Sequence, residues 1–416
     1  MSTFVPFKAF RPVREKAKDV ACRPYDVLDE KEARKECEGN PLSFYHVIKP
    51  EIDFPDGHDH YAPEIYQKGK ENFDKLVKSN VLFQDAEASF YVYQLNMDGH
   101  KQTSLVGCCA IDDYFNGVIK KHEKTRPDKE EDRKNHIRAS KLNYEPVFFS
   151  YPKVDAIDRL VEQAKTGKPE YDFTSDDGVR HTAWVIKDRA MVAAVEKLFE
   201  TSVPKIYVAD GHHRTAAGAH VAQEFRAARG GDASDGHRDN YFMAALFPDD
   251  QVKIFDYNRV VKDLNGLSSG QFVKLLSNSF FIEEKSETYR SESPHVFGMY
   301  LDGKWYKLTA KNGTYNGNPI GRLDVTILSK HLLEPILDIV DLRTDKRIEF
   351  VGGIRGIKEL EKRVDSGEMK VAFSMFPVSM KEVIEVSDNG ELMPPKVTWF
   401  EPKLRSGLFV HSLNGK

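Results

Sequence analysis

The sequence predicts a mixed α/β fold of the α+β kind, and two observations support this prediction. Segments in which apolar residues recur at helical spacing alternate along the chain with short runs of β-branched and aromatic residues. The chain of 416 residues can also bury a large core, so we expect two or three lobes around one site. We place these lobes at residues 1–155, 156–290 and 291–416.

Local signals predict the elements of the first lobe. Helix starts are marked by a capping acid or a first-turn proline, and strands by apolar and aromatic runs. The predicted elements are a helix capped by Asp29 that ends near Glu38, a strand over Phe44–Ile48, a helix from Pro63 to about Val77, and the paired strands "SFYVYQLNM" and "QTSLVGCCAI" around Asp98-Gly99.

The middle lobe is predicted to alternate strand and helix in the order typical of a wound sheet. The run "TAWVIKD" predicts a strand, Arg189–Phe199 a helix, and Ile206–Val208 a second strand that leads into another helix. Residues Arg229–Asn240 contain almost no apolar side chain and predict a loop. Beyond them, "YFMAALF" and "IFDYNRVV" predict buried strands.

Charge and composition exclude several classes of protein. Lys+Arg of 61 against Asp+Glu of 65 gives a net charge of −4, with both signs scattered, so no nucleic-acid footprint is present. The N-terminal segment is interrupted by Pro6, Lys8 and Arg11, and no apolar run reaches the length of a membrane span. The four cysteines lack metal-site spacing and suit a reduced compartment. We therefore expect a cytoplasmic protein without membrane or nucleic-acid partners.

The stretch "VADGHHRTAAG" is the strongest functional signal, because it places a polar cluster on a turn between a strand and a helix. Backbone N–H groups at a helix start, together with His212, His213, Arg214 and Thr215, could bind phosphate, while Gly211 allows close approach. Asp210 could then bind a divalent cation or accept a proton.

Two other interpretations of this stretch remain open. In one, Asp210 merely caps the helix and the histidines lie on the surface. In the other, the adjacent histidines bind zinc, although no H-E-x-x-H or equivalent spacing surrounds them.

A second charged stretch, "HEKTRPDKEEDRKNH", mixes candidate catalytic and binding residues. Glu123 is a candidate base, and Arg126 and Arg133 are candidate ligands of phosphate or carboxylate. Pro127 predicts that the first half is a loop, and the second half fits a solvated helix with pairs such as Glu130 with Lys134.

The C-terminal segment "PPKVTWFEPK" could close over a nucleotide. It offers Lys396, Thr398 and Lys403 beside Trp399 and Phe400. The alternative is an edge strand whose aromatic side chains lie in the core.

Six separated motifs resemble a known family over nearly the whole chain. They are "RPYDV", "NPLSFYHVIKPE", "HEKTRPDKEEDR", "VADGHHRTAA", "YNRVVKDL" and "MPPKVTWFEPKLRSGL", in the order found in the family DUF1015. Members that this chain resembles include an ATP-dependent free L-serine kinase. The "DGHHR" element is also similar to the phosphate-binding loop of the ParB/sulfiredoxin superfamily.

The resemblance implies a ParB/sulfiredoxin-like nucleotide-binding core and a phosphotransferase activity. The implied cofactor of this activity is Mg²⁺. The implied phosphoryl donor is ATP, with ADP or pyrophosphate as alternatives, and the implied acceptor is the hydroxyl of free L-serine. Glu123 is favoured over Asp210 as the base, because Asp210 is better placed for Mg²⁺. The nucleotide and phosphate would be bound by residues of the three stretches "VADGHHRTAAG", "HEKTRPDKEEDRKNH" and "PPKVTWFEPK". These residues are His122, Thr125, Arg126, Arg133, Gly211, His212, His213, Arg214, Thr215, Lys396, Thr398 and Lys403.

Two functions from other classes remain open beside the kinase. One is a nucleotide-binding, ParB-like switch that interacts with a partner, and the other is a metal-dependent hydrolase that uses the histidines. The oligomeric state, monomer or homodimer, is also left open.

Overall fold

The computed structural model describes residues 1–232 and 236–415. Residues 233–235, within the loop predicted over Arg229–Asn240, lie outside the described residues. Near the end of that loop the chain forms a 3-10 helix over Arg238–Asn240.

The described strands alternate with helices, which confirms the mixed α/β fold class. In chain order the strands are β1 Phe4–Val5, β2 Phe10–Pro12, β3 Leu82–Gln84, β4 Phe90–Met97, β5 His100–Ala110, β6 Ile119–Lys120, β7 Leu142–Asn143, β8 Val147–Tyr151, β9 Tyr171–Thr174, β10 Arg180–Ile186, β11 Ile206–Asp210, β12 Tyr241–Pro248, β13 Ile254–Phe255, β14 Tyr257–Val261, β15 Phe280–Lys285, β16 Val296–Leu301, β17 Lys304–Ala310, β18 Ile348–Gly352, β19 Val371–Ser374, β20 Trp399–Phe400 and β21 His411–Ser412.

The α-helices vary from single turns to seventeen residues. In chain order they are α1 Ala17–Val20, α2 Glu30–Cys37, α3 Tyr45–Ile48, α4 Pro63–Lys78, α5 Ile111–Phe115, α6 Pro127–Ser140, α7 Asp155–Ala164, α8 Arg189–Ser202, α9 His212–Ala228, α10 Ser269–Leu276, α11 Asp324–Leu328, α12 Lys358–Asp365 and α13 Met380–Asp388. In the part of the chain that the structure describes, none of these helices combines the length and the apolar character that a membrane span requires.

The chain divides into two compact units. The first contains Met1–Val252 and Pro402–Lys416, and the second contains Lys253–Glu401. The C-terminal segment returns to the first unit, where β21 pairs with β7.

The first unit is built around a nine-stranded sheet. Its main path runs β6-β11-β8-β12-β5-β4-β10-β9, and β1 pairs with β5. Most neighbours are antiparallel, but β11 with β6 and β12 with β8 are parallel. An apolar core of strand residues packs with helices such as α8 and α9, and includes Phe149, Phe199 and Ala219.

Several local predictions for the first unit are confirmed. Asp29 caps α2 in a capping box with Glu32, α4 begins at Pro63, and β4 and β5 form the predicted hairpin. The four cysteines are free and buried.

Two predictions are wrong. Phe44–Ile48 is not a strand, because Tyr45–Ile48 forms α3, and a short apolar run does not by itself distinguish a strand from a buried helical turn. The passage from β10 to β11 is not a wound pair, since four other strands lie between them in the sheet. Long-range pairing overrides the local order of elements here.

The second unit contains a six-stranded antiparallel sheet in the order β15-β17-β16-β19-β14-β18. The predicted strand "IFDYNRVV" is interrupted at Asp256 and forms two strands, β13 and β14. Trp399 and Phe400 form the short strand β20, which pairs with β13.

Candidate functional site

Two strands of the first unit bring the two charged motifs together. In the parallel pair β6 and β11, Ile206 lies opposite Ile119 and Tyr207 opposite Lys120. Parallel strands end at the same edge of a sheet, so the loop that follows β6 and the turn that follows β11 lie side by side. The first carries Glu123 and the second begins at Asp210.

The turn between β11 and α9 depends on Gly211. Its φ of 92° lies in the left-handed region that favours glycine, and a Cβ there would come within 3.1 Å of the Arg214 Nε. Gly211 is itself the N-cap of α9, and no side chain caps this helix among the described residues. The interpretation of Asp210 as a helix cap is therefore wrong, and the first N–H groups of α9 remain available for an anion.

Asp210 instead forms ion pairs with Lys403, in the C-terminal segment of the first unit, and with Arg214. The Lys403 Nζ lies 3.0 Å from its Oδ2, and the Arg214 Nη2 lies 3.7 Å from the same oxygen. Burial would raise the pKa of Asp210, but the adjacent Lys403 and Arg214 hold it well below its ordinary value. Asp210 is therefore an anion throughout the physiological range.

Arg214 is a buried cation at the start of α9. Its side chain is 8% exposed, and its Nη1 donates to the Pro146 backbone carbonyl at 3.1 Å, whereas its Nε has no hydrogen-bond partner among the described residues. Burial would lower the pKa of Arg214, but nearby carboxylates, chiefly Glu145, raise it above its ordinary value. A buried guanidinium with an unused donor is suited to bind an anion.

His122, Glu123 and His212 form a compact cluster beside this turn. One potential ligand atom of each lies within 4.8 Å of the others. The two imidazole rings pack edge to face, with centroids 4.4 Å apart. Burial lowers the pKa of His122 to about 4, and burial together with His122 lowers that of His212 well below its ordinary value. Both rings are therefore neutral at pH 7.

His213 and Arg126 connect the loop to the helix. The Arg126 backbone N–H donates to the His213 Nε2 at 3.0 Å. The Arg126 side chain is 65% exposed and pairs with Asp128, so the structure does not place its guanidinium in the cluster. Thr125 donates to Glu130 at 2.8 Å, and Thr215 donates to the Gly211 carbonyl at 2.9 Å.

Arg133 lines the same cavity as Arg214. The two arginines line a cavity of about 40 Å³ together with Tyr144 and Glu145. The Arg133 guanidinium lies 3.8 Å from the centre of the Tyr25 ring and pairs with Asp132 at 2.7 Å. The predicted ion pair of Glu130 with Lys134, at 3.2 Å, is also present.

Sequence reasoning assigned no role to Tyr25 and Glu145. Glu145 is buried and accepts hydrogen bonds from the Tyr25 backbone N–H at 3.2 Å and from the Ser406 hydroxyl at 2.6 Å. Tyr25 lies in the motif "RPYDV", so the resemblance pointed to its neighbourhood, whereas nothing local marks Glu145.

The predicted C-terminal site residues belong to different units. Lys403 is part of the first unit, and Lys396 and Thr398 are part of the second. Lys396 is exposed, has a φ of 59°, and its ammonium lies 5.8 Å from the centre of the Tyr257 ring. Within the first unit, the site combines the start of α9, the cations Arg214 and Lys403, and the carboxylates Asp210 and Glu123. This chemistry is suited to an anionic ligand.

Comparison with solved structures finds remote likenesses. A free serine kinase mutant in complex with AMP is 14% identical, with a TM-score of 0.37, and the match covers 72% of this chain and 90% of that one. A free serine kinase mutant in complex with ADP is 15% identical, with a TM-score of 0.36 and the same coverage. A conserved hypothetical protein from Pyrococcus furiosus is 16% identical, with a TM-score of 0.35, covering 72% and 94%. Similarity at this level identifies no activity for this chain.

Comparison of the sequence with protein families gives a more extensive match. No curated protein sequence matches the chain. A family model described as "Protein of unknown function (DUF1015)" matches residues 4–326, which is most of the sequence and includes the loop after β6 and the turn after β11. The chain therefore belongs to the DUF1015 family.

Proposed function

We propose that this protein transfers the terminal phosphoryl group of ATP to the hydroxyl of free L-serine, giving O-phospho-L-serine and ADP. The observation that carries the proposal is the proximity of Glu123 to His212 at the uncapped start of α9, the helix whose first turn also contains the buried Arg214. Phosphoryl transfer depends mainly on positioning and on neutralising charge. A carboxylate beside an anion-binding helix start supplies the elements of such a site.

The residues divide into two roles. The N–H groups at the start of α9 and the Arg214 guanidinium bind phosphate oxygens, and Glu123 takes the proton of the attacking serine hydroxyl. The new bond joins the serine oxygen to the terminal phosphorus, and the bond from that phosphorus to the oxygen bridging to the β-phosphate breaks. Asp210 is a poor base, because its pKa is held well below its ordinary value.

Asp210 has a donor set that fits Mg²⁺ carried by a nucleotide. Magnesium binds through one or two carboxylates together with substrate phosphates. Lys403 and Arg214 both contact Oδ2 of Asp210, so neither of these ion pairs involves Oδ1. A bound Mg²⁺ would supply charge neutralisation on the phosphates.

The direct test is product formation by the full chain. Chelator-treated protein is incubated with Mg²⁺, with ATP, ADP or pyrophosphate, and with each free amino acid, and phosphorylated products are identified by mass spectrometry. Serine with ATP is expected to give phosphoserine, and threonine to react about tenfold more slowly because of its additional methyl group. Nucleotide binding without any phosphorylated product would instead support the switch.

Glu123→Gln separates the base from the phosphate site. We expect turnover to fall by about 10²- to 10⁴-fold, because the proton acceptor is lost, while nucleotide affinity and melting temperature stay near those of the wild type. The matched control is Glu131→Gln on α6, whose exposed carboxylate pairs with Arg138 outside the cluster. Normal turnover in Glu123→Gln would contradict its assignment as the base.

A further inference from the structure

We propose that His122, Glu123 and His212 form a binding site for a divalent transition metal ion of the zinc class. The site goes beyond the phosphotransferase proposal, in which Mg²⁺ is associated with Asp210. Its ligands would be two imidazole nitrogens and one carboxylate oxygen, a set that suits zinc and its neighbours better than magnesium.

The spacing of the three side chains suits a single ion. In the tetrahedral geometry that zinc prefers, two ligand atoms bound at about 2.0–2.2 Å to the same ion lie about 3.3–3.6 Å apart. Potential ligand atoms of the cluster all lie within 4.8 Å of one another. Ligand atoms at the 4.8 Å limit would therefore have to approach by about 1.2–1.5 Å to close the site, and rotation about the χ angles of Glu123 and the histidines can supply this movement.

The surroundings of the histidines support the same assignment. His122 hydrogen-bonds to the Val208 backbone carbonyl, and a carbonyl partner of this kind orients many histidines that bind metals. His212 is 7% exposed, and its Nε2 has no hydrogen-bond partner among the described residues. A buried polar atom without a partner has a free-energy cost that a metal bond would remove.

The electrostatic setting favours a cation at this position. The negative charge of Asp210 lies close enough to act on both histidines. Among the described residues, Lys121 acts electrostatically on His212, and Lys403 and Arg214 both pair with Asp210.

With three ligands from the protein, a fourth position would remain for water or another oxygen ligand. Sequence spacing does not reveal this site, because His122 and Glu123 come from the loop after β6 and His212 from the turn after β11. Because a zinc-bound carboxylate cannot accept the serine proton, zinc would compete with the phosphotransferase reaction for Glu123.

Metal binding by the chelator-treated full chain tests the site directly. Zn²⁺ is titrated by calorimetry in excess Mg²⁺, and Co²⁺ is titrated while its visible absorption is recorded. We expect one ion per chain and the intense bands of a low-coordinate Co²⁺ site containing nitrogen ligands. Failure of the folded wild type to bind Zn²⁺ in excess Mg²⁺, or weak bands typical of aqueous Co²⁺, would overturn the proposal.

Substitutions of the three proposed residues show which of them bind the metal ion. We expect His122→Gln, His212→Gln and Glu123→Gln each to weaken Zn²⁺ binding by about 100-fold or more, since even residues that only orient ligands change affinity by about 10- to 100-fold. The control is His220→Gln, further along α9, where the histidine is 37% exposed and pairs with Glu130. Equal Zn²⁺ affinity in all four variants would overturn the assignment.

Two features keep the test independent of folding and of activity. If a buried histidine variant does not fold, Glu123→Gln still tests the site, because Glu123 lies half-buried in a loop. Phosphoserine formation is measured separately, on chelator-treated protein with Mg²⁺. Zinc binding without phosphoserine formation would support the metal site and contradict the phosphotransferase proposal, and the reverse result would overturn the metal site alone.

Discussion

At the scale of single residues, the site is characterised by buried charge. Arg214 and Asp210 retain their charges because each has opposite charges nearby, whereas His122 and His212 lose theirs through burial. The four groups therefore have fixed protonation states at pH 7, and a ligand meets a site that is already electrostatically organised.

Substitutions of Arg214 test the proposed phosphate site. We expect Arg214→Lys to impair nucleotide binding clearly, because lysine keeps the charge but loses the planar two-point contact, and Arg214→Ala to be nearly inactive. Nucleotide affinity is measured by calorimetry, and turnover by phosphoserine formation. Arg138→Lys is the control, since Arg138 pairs with Glu131 and Glu224 on an exposed surface. Wild-type affinity and turnover in both Arg214 variants would remove the phosphate site from the mechanism.

The buried carboxyl group of Asp324, in the second unit, should make the free energy of unfolding depend on pH. Burial raises its pKa from the ordinary 3.8 to about 7, even though its Oδ1 accepts a hydrogen bond from the His295 backbone N–H at 2.7 Å. The folded state therefore binds a proton that the unfolded state releases between about pH 4 and 7. The stability contributed by this group is present below pH 4 and is lost as the pH rises through 7.

Asp324→Asn is expected to remove this dependence. At pH 8 the variant should raise the free energy of unfolding by up to about 4 kcal/mol, since one pKa unit corresponds to about 1.4 kcal/mol, and the gain should shrink towards zero near pH 4. Denaturant unfolding of wild type and variant at several pH values measures it. A difference in stability that does not change with pH would contradict the raised pKa.

At the scale of elements, the turn from β11 to α9 positions most of the candidate site. The turn sets the backbone N–H groups, Asp210 and Arg214 in one place, and the parallel strand β6 adds Glu123 beside them. The same turn contains Gly211, and a substitution there tests the geometry of the turn.

Gly211→Ala should disturb both the turn and Arg214. A positive φ costs a non-glycine residue about 1–2 kcal/mol, and the added Cβ would come within 3.1 Å of the Arg214 guanidinium. We expect a lower melting temperature and weaker nucleotide binding. Gly57→Ala is the matched control: its φ is 84°, nothing lies within 4 Å of the added Cβ, and only the melting temperature should fall. Equal nucleotide affinity in both variants would contradict the close contact.

At the scale of the whole molecule, the first unit is assembled from distant parts of the chain. The segment after Pro402 returns to it, where Arg405 pairs with Asp177, and Ser406 donates to Glu145. The first unit therefore depends on residues that follow the entire second unit in sequence.

Deletion of residues 402–416 should prevent stable folding of the first unit. It removes several fully buried side chains, among them Leu408, Phe409 and Val410, each contributing about 1.5–3 kcal/mol, against a total stability of about 5–15 kcal/mol. Near-ultraviolet circular dichroism and thermal unfolding measure the loss. Deletion of residues 414–416 alone is the control and should leave the melting temperature close to that of the wild type. A cooperative transition of the first unit in the longer deletion would contradict the prediction.

Elements whose signals are local can be predicted from the sequence alone. The capping box at Asp29, the hairpin of β4 and β5, and the passage from β11 through Gly211 into α9 each depend on residues a few positions apart. The six motifs also identified the family, which the family match confirms. The same local reasoning was wrong for Phe44–Ile48, where a short apolar run forms a helical turn.

Which of the charged residues come into contact depends on the folded chain. Lys403 reaches Asp210 from 193 positions away, and His212 reaches His122 because β6 pairs with β11. The Arg126 side chain pairs locally with Asp128, whereas long-range packing places the Arg133 guanidinium over the Tyr25 ring. Sequence spacing carries no signal for such contacts, because strand pairing and burial depend on the free energy of the whole sheet rather than on neighbours along the chain.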